Sequence, residues 1–215
     1  MSVQLPDDSA PRWARLLLAS ICTQYRVVRP VLRWRLQAGA STGPCAVWQR
    51  LGSYKEKSTP PTIIVYAGTN HLENRMTLLH ETAHHLAYVR KGLIGHREGF
   101  WIYCWQLYHA HRVPLHEAVL SEFGYMARAE TVLHSMGIRL SHRAAAAAQL
   151  GRAVRRILTL EVQIRRLRTR LSLLSSPTRR APIQRSLRRL SVQERQGTRL
   201  VARHARAYKR VARPS

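Results

Sequence analysis

Hydrophobic positions change their period several times along the first 140 residues, and each change marks an element. Between Pro11 and about Val28, Trp13, Leu17, Ile21 and Tyr25 recur every four residues, the spacing of one helix face. Leu32, Trp34 and Leu36 then alternate with Val31, Arg33 and Arg35, which predicts a half-buried strand. Gly39 to Pro44 reads as a turn, and Ala46 to Leu51 as a second, weaker strand. Thr62-Ile63-Ile64-Val65-Tyr66, bounded by Pro60, Pro61 and Gly68, is rich in β-branched residues and predicts a third. Helical spacing returns from Glu73 to Val89 through Met76, Leu79, Ala83 and Leu86, and Gly92 and Gly95 stop it. An aromatic helix over Phe100 to His111 follows. Another, opened by Pro114, runs to about Met136, where Gly137 closes it. The expectation is an α+β unit over residues 1–140: an N-terminal helix, a short three-stranded sheet, a central helix and further helices.

A different period takes over at Ala144. Leu150, Ile157, Ile164 and Leu171 fall seven apart, and Ala153, Leu160, Leu167 and Leu174 each follow three residues later, the a and d pattern of a coiled-coil seam. Ser175-Ser176-Pro177 interrupts it. Ile183, Leu187, Leu190, Val201, Tyr208 and Val211 then mark a second, less regular helix. Residues 144–215 are expected to form an antiparallel, coiled-coil-like helical hairpin.

Charge changes the picture of that hairpin. The chain has 36 Lys and Arg against 11 Asp and Glu, a formal net charge of +25. Residues 144–215 hold 19 of those bases against Glu161 and Glu194 alone, or +17 of the total. A solvated helix face ordinarily mixes signs, whereas this one repels itself unless a polyanion is near. Nucleic acid is the first choice, ahead of an acidic protein or membrane phosphates. Arg155-Arg156, Arg165-Arg166, Arg179-Arg180 and Arg188-Arg189 lie off the apolar seam and are candidate contacts to the phosphates of DNA or RNA. No base-reading motif accompanies them, so sequence-specific readout is not expected. The same helices also offer a surface for self-association.

Other features exclude more than they assign. Cys22, Cys45 and Cys104 are far apart and form no CxxC pair, which supports neither a disulfide framework nor a zinc ribbon. The N-terminus lacks the order of charges and the length of a signal peptide, and no run approaches the ~18 apolar residues of a membrane span. The expected address is the cytoplasm, with the basic arm favouring the nucleoid.

The chemistry concentrates in His80-Glu81-Thr82-Ala83-His84, inside the central helix. Residues four apart share a helix face, so His80 and His84 can present two imidazoles to one ion, and Glu81 lies at a neighbouring azimuth where it can serve as a general base. A catalytic zinc site takes three protein ligands and leaves one position open. His96 is the first candidate for the third, because the glycines before it let the chain reverse. An acid on a later helix, Glu117 or Glu122, is the alternative. His71 is a weaker candidate for substrate contact, and Tyr103 or an arginine for stabilising an oxyanion. His85, His109, His111 and His116 are expected to be surface or core-edge imidazoles.

His80-Glu81-Thr82-Ala83-His84 followed by Gly95-His96-Arg97-Glu98-Gly99-Phe100 resembles the SprT-like, or Spartan-like, metalloproteases, whose pattern is HExxH and then GHGPEF. That resemblance covers about Thr62 to Trp105. It implies a zincin-like domain in which His80, His84 and His96 hold Zn²⁺, Glu81 is the catalytic base and Phe100 belongs to the core. It also implies protein substrates bound or crosslinked to DNA. The chain departs from the pattern in having Arg-Glu-Gly for Gly-Pro-Glu, and it lacks the Cys-rich zinc ribbon of many members. Two other readings remain: a protease of a phage or mobile element with a specific protein target and an arm used for assembly, and a nucleic-acid-binding structural protein stapled by zinc. Glu81 argues against the second, since a structural site needs no general base.

Overall fold

The computed structural model describes residues 10–36, 52–122 and 126–212. The chain is α+β, in the order α1 (Arg12–Gln24), β1 (Val31–Leu36), β2 (Gly52–Lys55), β3 (Thr62–Ala67), α2 (His71–Lys91), α3 (Glu98–Ala110), α4 (Leu115–Ser121), α5 (Met126–Ser135), α6 (His142–Ser172) and α7 (Pro177–Ala212). It divides into two compact units, one of Met1–Pro114 with Arg128–Gly137, the other of Leu115–Ala127 with Ile138–Ser215.

In the first unit the strands are ordered β1-β3-β2, with β1 parallel and β2 antiparallel to β3. As the central strand, β3 is covered on both faces, so Thr62, Ile63, Ile64, Val65 and Ala67 are all buried. Alternation in β1 has the consequence its sequence predicts. Leu32 pairs with Ile63 and Trp34 with Val65, and these side chains join Ala14, Leu18 and Cys22 of α1 and Leu78 of α2 in one core cluster. The turn expected at Gly39 to Pro44, the strand expected at Ala46 to Leu51, and Cys45 lie outside the described residues. The second strand described is Gly52–Lys55, a short edge strand in which Tyr54 pairs with Ile63.

Helix α2 starts at Asn70, whose side chain accepts from the amides of Leu72 and Glu73 at 3.0 and 3.3 Å. It stops at Gly92, which adopts the left-handed conformation (φ 61°) while the amides of Gly92 and Leu93 reach back to the carbonyls of Tyr88 and Ala87. Packed between β2 and β3 on one side and α3 on another, α2 buries Leu78, Leu79, Thr82, Ala83, Leu86 and Ala87 around most of its circumference. Helix α3 buries Phe100, Trp101, Cys104, Trp105, Leu107 and Tyr108. The Trp105 indole N–H donates to the Ala129 carbonyl of α5 at 3.1 Å. The single helix expected from Pro114 to about Met136 is instead two, α4 and α5, with Glu122 in a turn after the first.

The second unit is helical in its described residues. Ser141 caps α6 by accepting from the Ala144 amide at 3.2 Å, and α6 packs against both α4 and α7. The hairpin is antiparallel. A Cβ added at Gly197 of α7 would lie 3.0 Å from Ile157 Cγ1 of α6, and nearer the turn Leu167, Arg170 and Leu174 share a groove with Arg179, Pro182 and Ile183. Ala153, Leu160 and Ile164 of the predicted seam are buried, as is Ile183 opposite. No helix among the described residues is long and apolar enough to cross a membrane.

Candidate metal centre

Helical geometry places His80 and His84 one turn apart on α2, and the reversal through Gly92 and Gly95 (φ 61° and 75°) returns His96 to them. His80 Nε2 lies 3.0 Å from His96 Nε2, and His84 Nε2 lies 3.3 Å from the same atom. Three nitrogens held tetrahedrally around an ion at 2.0–2.1 Å stand about 3.3 Å apart, so this spacing suits a zinc-sized ion. The His96 Nε2 can share one proton with one neighbour. Hydrogen bonding among neutral rings therefore cannot satisfy both contacts, whereas a cation at their convergence satisfies all three lone pairs. The three histidines could hold a metal ion, and each is half-buried, which leaves the cluster accessible from one side.

Phe100 is the keel of this cluster. Fully buried in the first turn of α3, it stacks on His84 (centroids 4.1 Å, planes 25°) and meets His80 and His96 edge-on at 4.9 and 4.8 Å. Trp101 lies 5.7 Å from His96 on another side. The loop that carries His96 also packs closely against α3, since a Cβ at Gly99 would come within 2.5 Å of Leu93 Cδ1. Apolar surroundings withdraw water from the imidazoles. Burial, with the neighbouring His80 and His96, pushes the His84 pKa down to about 2, which keeps this ring neutral and its lone pair available to a cation.

Glu81 is buried, at 7% exposure. Its carboxylate lies where any side chain at the first residue of β2 would be: a Cβ on Gly52 would stand 2.6 Å from Glu81 Oε1 and 2.8 Å from Thr77 Cγ2. The edge strand thus approaches the α2 carboxylate without a side chain between them.

His85, expected at the surface or core edge, is 1% exposed and ties three segments together. A carbonyl cannot donate, so His85 Nε2–H must donate to the Val28 carbonyl at 2.7 Å, leaving Nδ1 to accept from the Tyr54 hydroxyl at 3.1 Å. Burial lowers the His85 pKa and raises that of Tyr54, so the pair stays neutral. Its position seven residues after Leu78, on a stripe the core covers, is the signal that could have located it.

Tyr103 packs on Tyr25 at 5.9 Å with Lys91 over its ring, and His71 packs on Trp13 at 4.6 Å. Glu117 and Glu122 belong to the second unit, where Glu117 pairs with His116 at 3.3 Å. Arg155, Arg156, Arg165, Arg166, Arg179, Arg180, Arg188 and Arg189 are all exposed, but neighbours in sequence point about 100° apart on a helix, so no pair forms a single ridge. Neither family models, nor curated proteins, nor solved structures match this chain.

Proposed function

We propose that this chain is a zinc-dependent endopeptidase of the SprT-like kind, with a basic helical arm that binds nucleic acid and directs cleavage to proteins on or crosslinked to DNA. The observation that carries the catalytic half is the convergence of the His80, His84 and His96 Nε2 atoms on one point, with Glu81 next to His80 in the helix that supplies two of the three. Three neutral imidazoles with an accessible side suit a catalytic rather than a closed structural zinc site. Bound there, Zn²⁺ supplies Lewis acidity, polarising the scissile carbonyl and lowering the pKa of water towards ~7. Glu81 takes the proton from the attacking water and delivers it to the leaving amine. Phe100 and Trp101 fix the three imidazoles and exclude bulk water from their apolar side. The arm's +17, with only two acids among 19 bases, supports the nucleic-acid half.

Metal analysis and one substitution test the catalytic half. The purified chain should hold about one zinc, lost in His96→Ala and retained in Glu117→Ala and Glu122→Ala. Glu81→Gln should keep the metal and the fold while lowering proteolysis by about 10²–10⁴, and should trap uncleaved substrate in a pull-down. Wild-type cleavage by Glu81→Gln sinks the mechanism.

A further inference from the structure

The hairpin's arginines are not distributed alike on its two helices. Rotation of α7 is fixed by its seam: Ile183 is buried, and Gly197 sits against Ile157 where any side chain would press on it. With 100° per residue, positions 183, 187, 190, 194, 197, 201, 204 and 208 then face α6, and each is buried or half-buried. Arg185, Arg188, Arg195, Arg199, Arg203 and Arg206, ending at Arg210, fall within about 50° of the opposite direction. All seven are exposed. At 1.5 Å per residue the row is about 37 Å long, with close to one guanidinium per turn. Helix α6 has no such row, because Arg155 and Arg166 alone fall within about 50° of the direction opposite its seam, whereas Arg156 and Arg168 flank the seam itself.

We infer that this outer row of α7 is a docking face for the backbone of double-stranded DNA, with α7 seated along the major groove and α6 behind it. The inference rests on the nucleic-acid half of the proposed function and narrows it to one helix face and one polymer. An amphipathic membrane helix needs a free apolar face, and that of α7 is occupied by α6. A partner helix needs an apolar stripe, and the row contains one exposed apolar side chain, Val192. Single strands are gripped by aromatic stacking, yet Tyr208, in the seam, is the arm's single aromatic residue. What remains on this face is regularly spaced, bidentate phosphate donors. A helix of 10–12 Å diameter enters the ~12 Å major groove of B-DNA, whose walls are the two phosphate backbones. The major groove of A-form RNA is too narrow to admit it.

Two full-length variants of equal charge separate this face from the rest of the arm. The first replaces Arg188, Arg195, Arg199 and Arg203 with Gln, and the second replaces Arg155, Arg156, Arg165 and Arg166. Binding to a 20-base-pair DNA duplex of arbitrary sequence is followed by fluorescence anisotropy across salt, with circular dichroism to verify the helices. The row variant should lose about 100-fold in affinity, and its log–log salt slope should shallow by about 3 to 4, roughly 0.9 per phosphate contact. The α6 variant should change affinity less than about fivefold, and an RNA duplex of the same sequence should bind the wild type at least about tenfold more weakly. Equal losses in the two variants, or a larger loss in the α6 variant, overturn the row while leaving nucleic-acid binding by the arm intact. No loss in either variant removes the arm's role altogether. Equal affinity for the RNA duplex overturns the groove seating.

Discussion

Helix α2 is buried around most of its circumference, whereas α7 buries one stripe and exposes the rest. The proposed chemistry on the two helices is specified in correspondingly different ways. On α2, Glu81 is constrained by Gly52 and Thr77, His84 by Phe100, and His85 by Val28 and Tyr54. Each functional group has its own packing partner, so substitutions in the neighbours should be felt at the site. On α7 a single contact line against α6 sets the direction of seven arginines at once, and no individual arginine is held by a partner that other parts of the fold require. Positioning by packing gives precision within tenths of an ångström, as metal chemistry needs. Positioning by period gives a regular array, which suffices for phosphates.

The largest effect expected from this contrast is at Phe100. Its removal leaves a cavity where three imidazoles rest, so Phe100→Ala should destabilise the fold by about 3–5 kcal/mol and weaken metal retention. Denaturant unfolding and metal analysis measure the two. A stable Phe100→Ala protein with full metal content would show that the imidazoles are not held by packing.

Gly52→Ala should come next. A Cβ at that position collides with Glu81 Oε1, and the side chain must shift to relieve it. Proteolysis should fall by about 10–100-fold, as misplacement of a catalytic group by about 1 Å does, while metal content stays at the wild-type level. Loss of metal together with activity would mean that the substitution disturbs α2 as a whole.

His85→Phe probes the same helix from its other side. The ring volume is preserved, but the Val28 carbonyl loses its donor and the Tyr54 hydroxyl its acceptor, for a cost of about 1–3 kcal/mol. Unchanged stability would show that water replaces both bonds.

How much of this was legible in sequence follows the same division. Strand β1 matches its expected bounds to the residue because one of its faces is buried, and α2, expected over Glu73 to Val89, extends two residues further at each end, its motif and stop glycines being strong local signals. Strand β2 was missed. Gly-Ser-Tyr-Lys carries no alternation of its own, and its extended form comes from pairing with β3. The break between α4 and α5 was also missed, although Gly124 within that run was an available signal. At the site, spacing points to His80, Glu81 and His84 and the glycines before His96 point to a returning loop, and the structure brings the three imidazoles together; the packing of Phe100 on all three imidazoles and of Gly52 on Glu81 spans different elements and cannot be read from local pattern. On α7 the pattern looked irregular because Glu194, Gly197 and His204 occupy seam positions that an apolar count passes over.

The smallest expected effect lies at one of those seam positions. Gly197→Ala replaces the poorest helix former after proline with the best, a gain of about 0.5–1 kcal/mol from the unfolded chain's lost freedom. Against that, the new Cβ sits 3.0 Å from Ile157 Cγ1, so the Ile157 side chain must give way by a few tenths of an ångström. Ile157 is only half-buried, so a shift of that size is cheap and the two effects should nearly cancel, leaving stability within about 0.5 kcal/mol of wild type and the salt slope of DNA binding unchanged. Gly197→Leu adds volume that no rotation can absorb. It should part the helices at mid-hairpin and cost about 1–3 kcal/mol, with the arginine row losing its common direction beyond that point. Unfolding curves and salt slopes for the two variants decide the matter: if Gly197→Leu binds and unfolds like the wild type, α7 is not locked to α6 at this residue, and the row's direction must be set by something other than the seam.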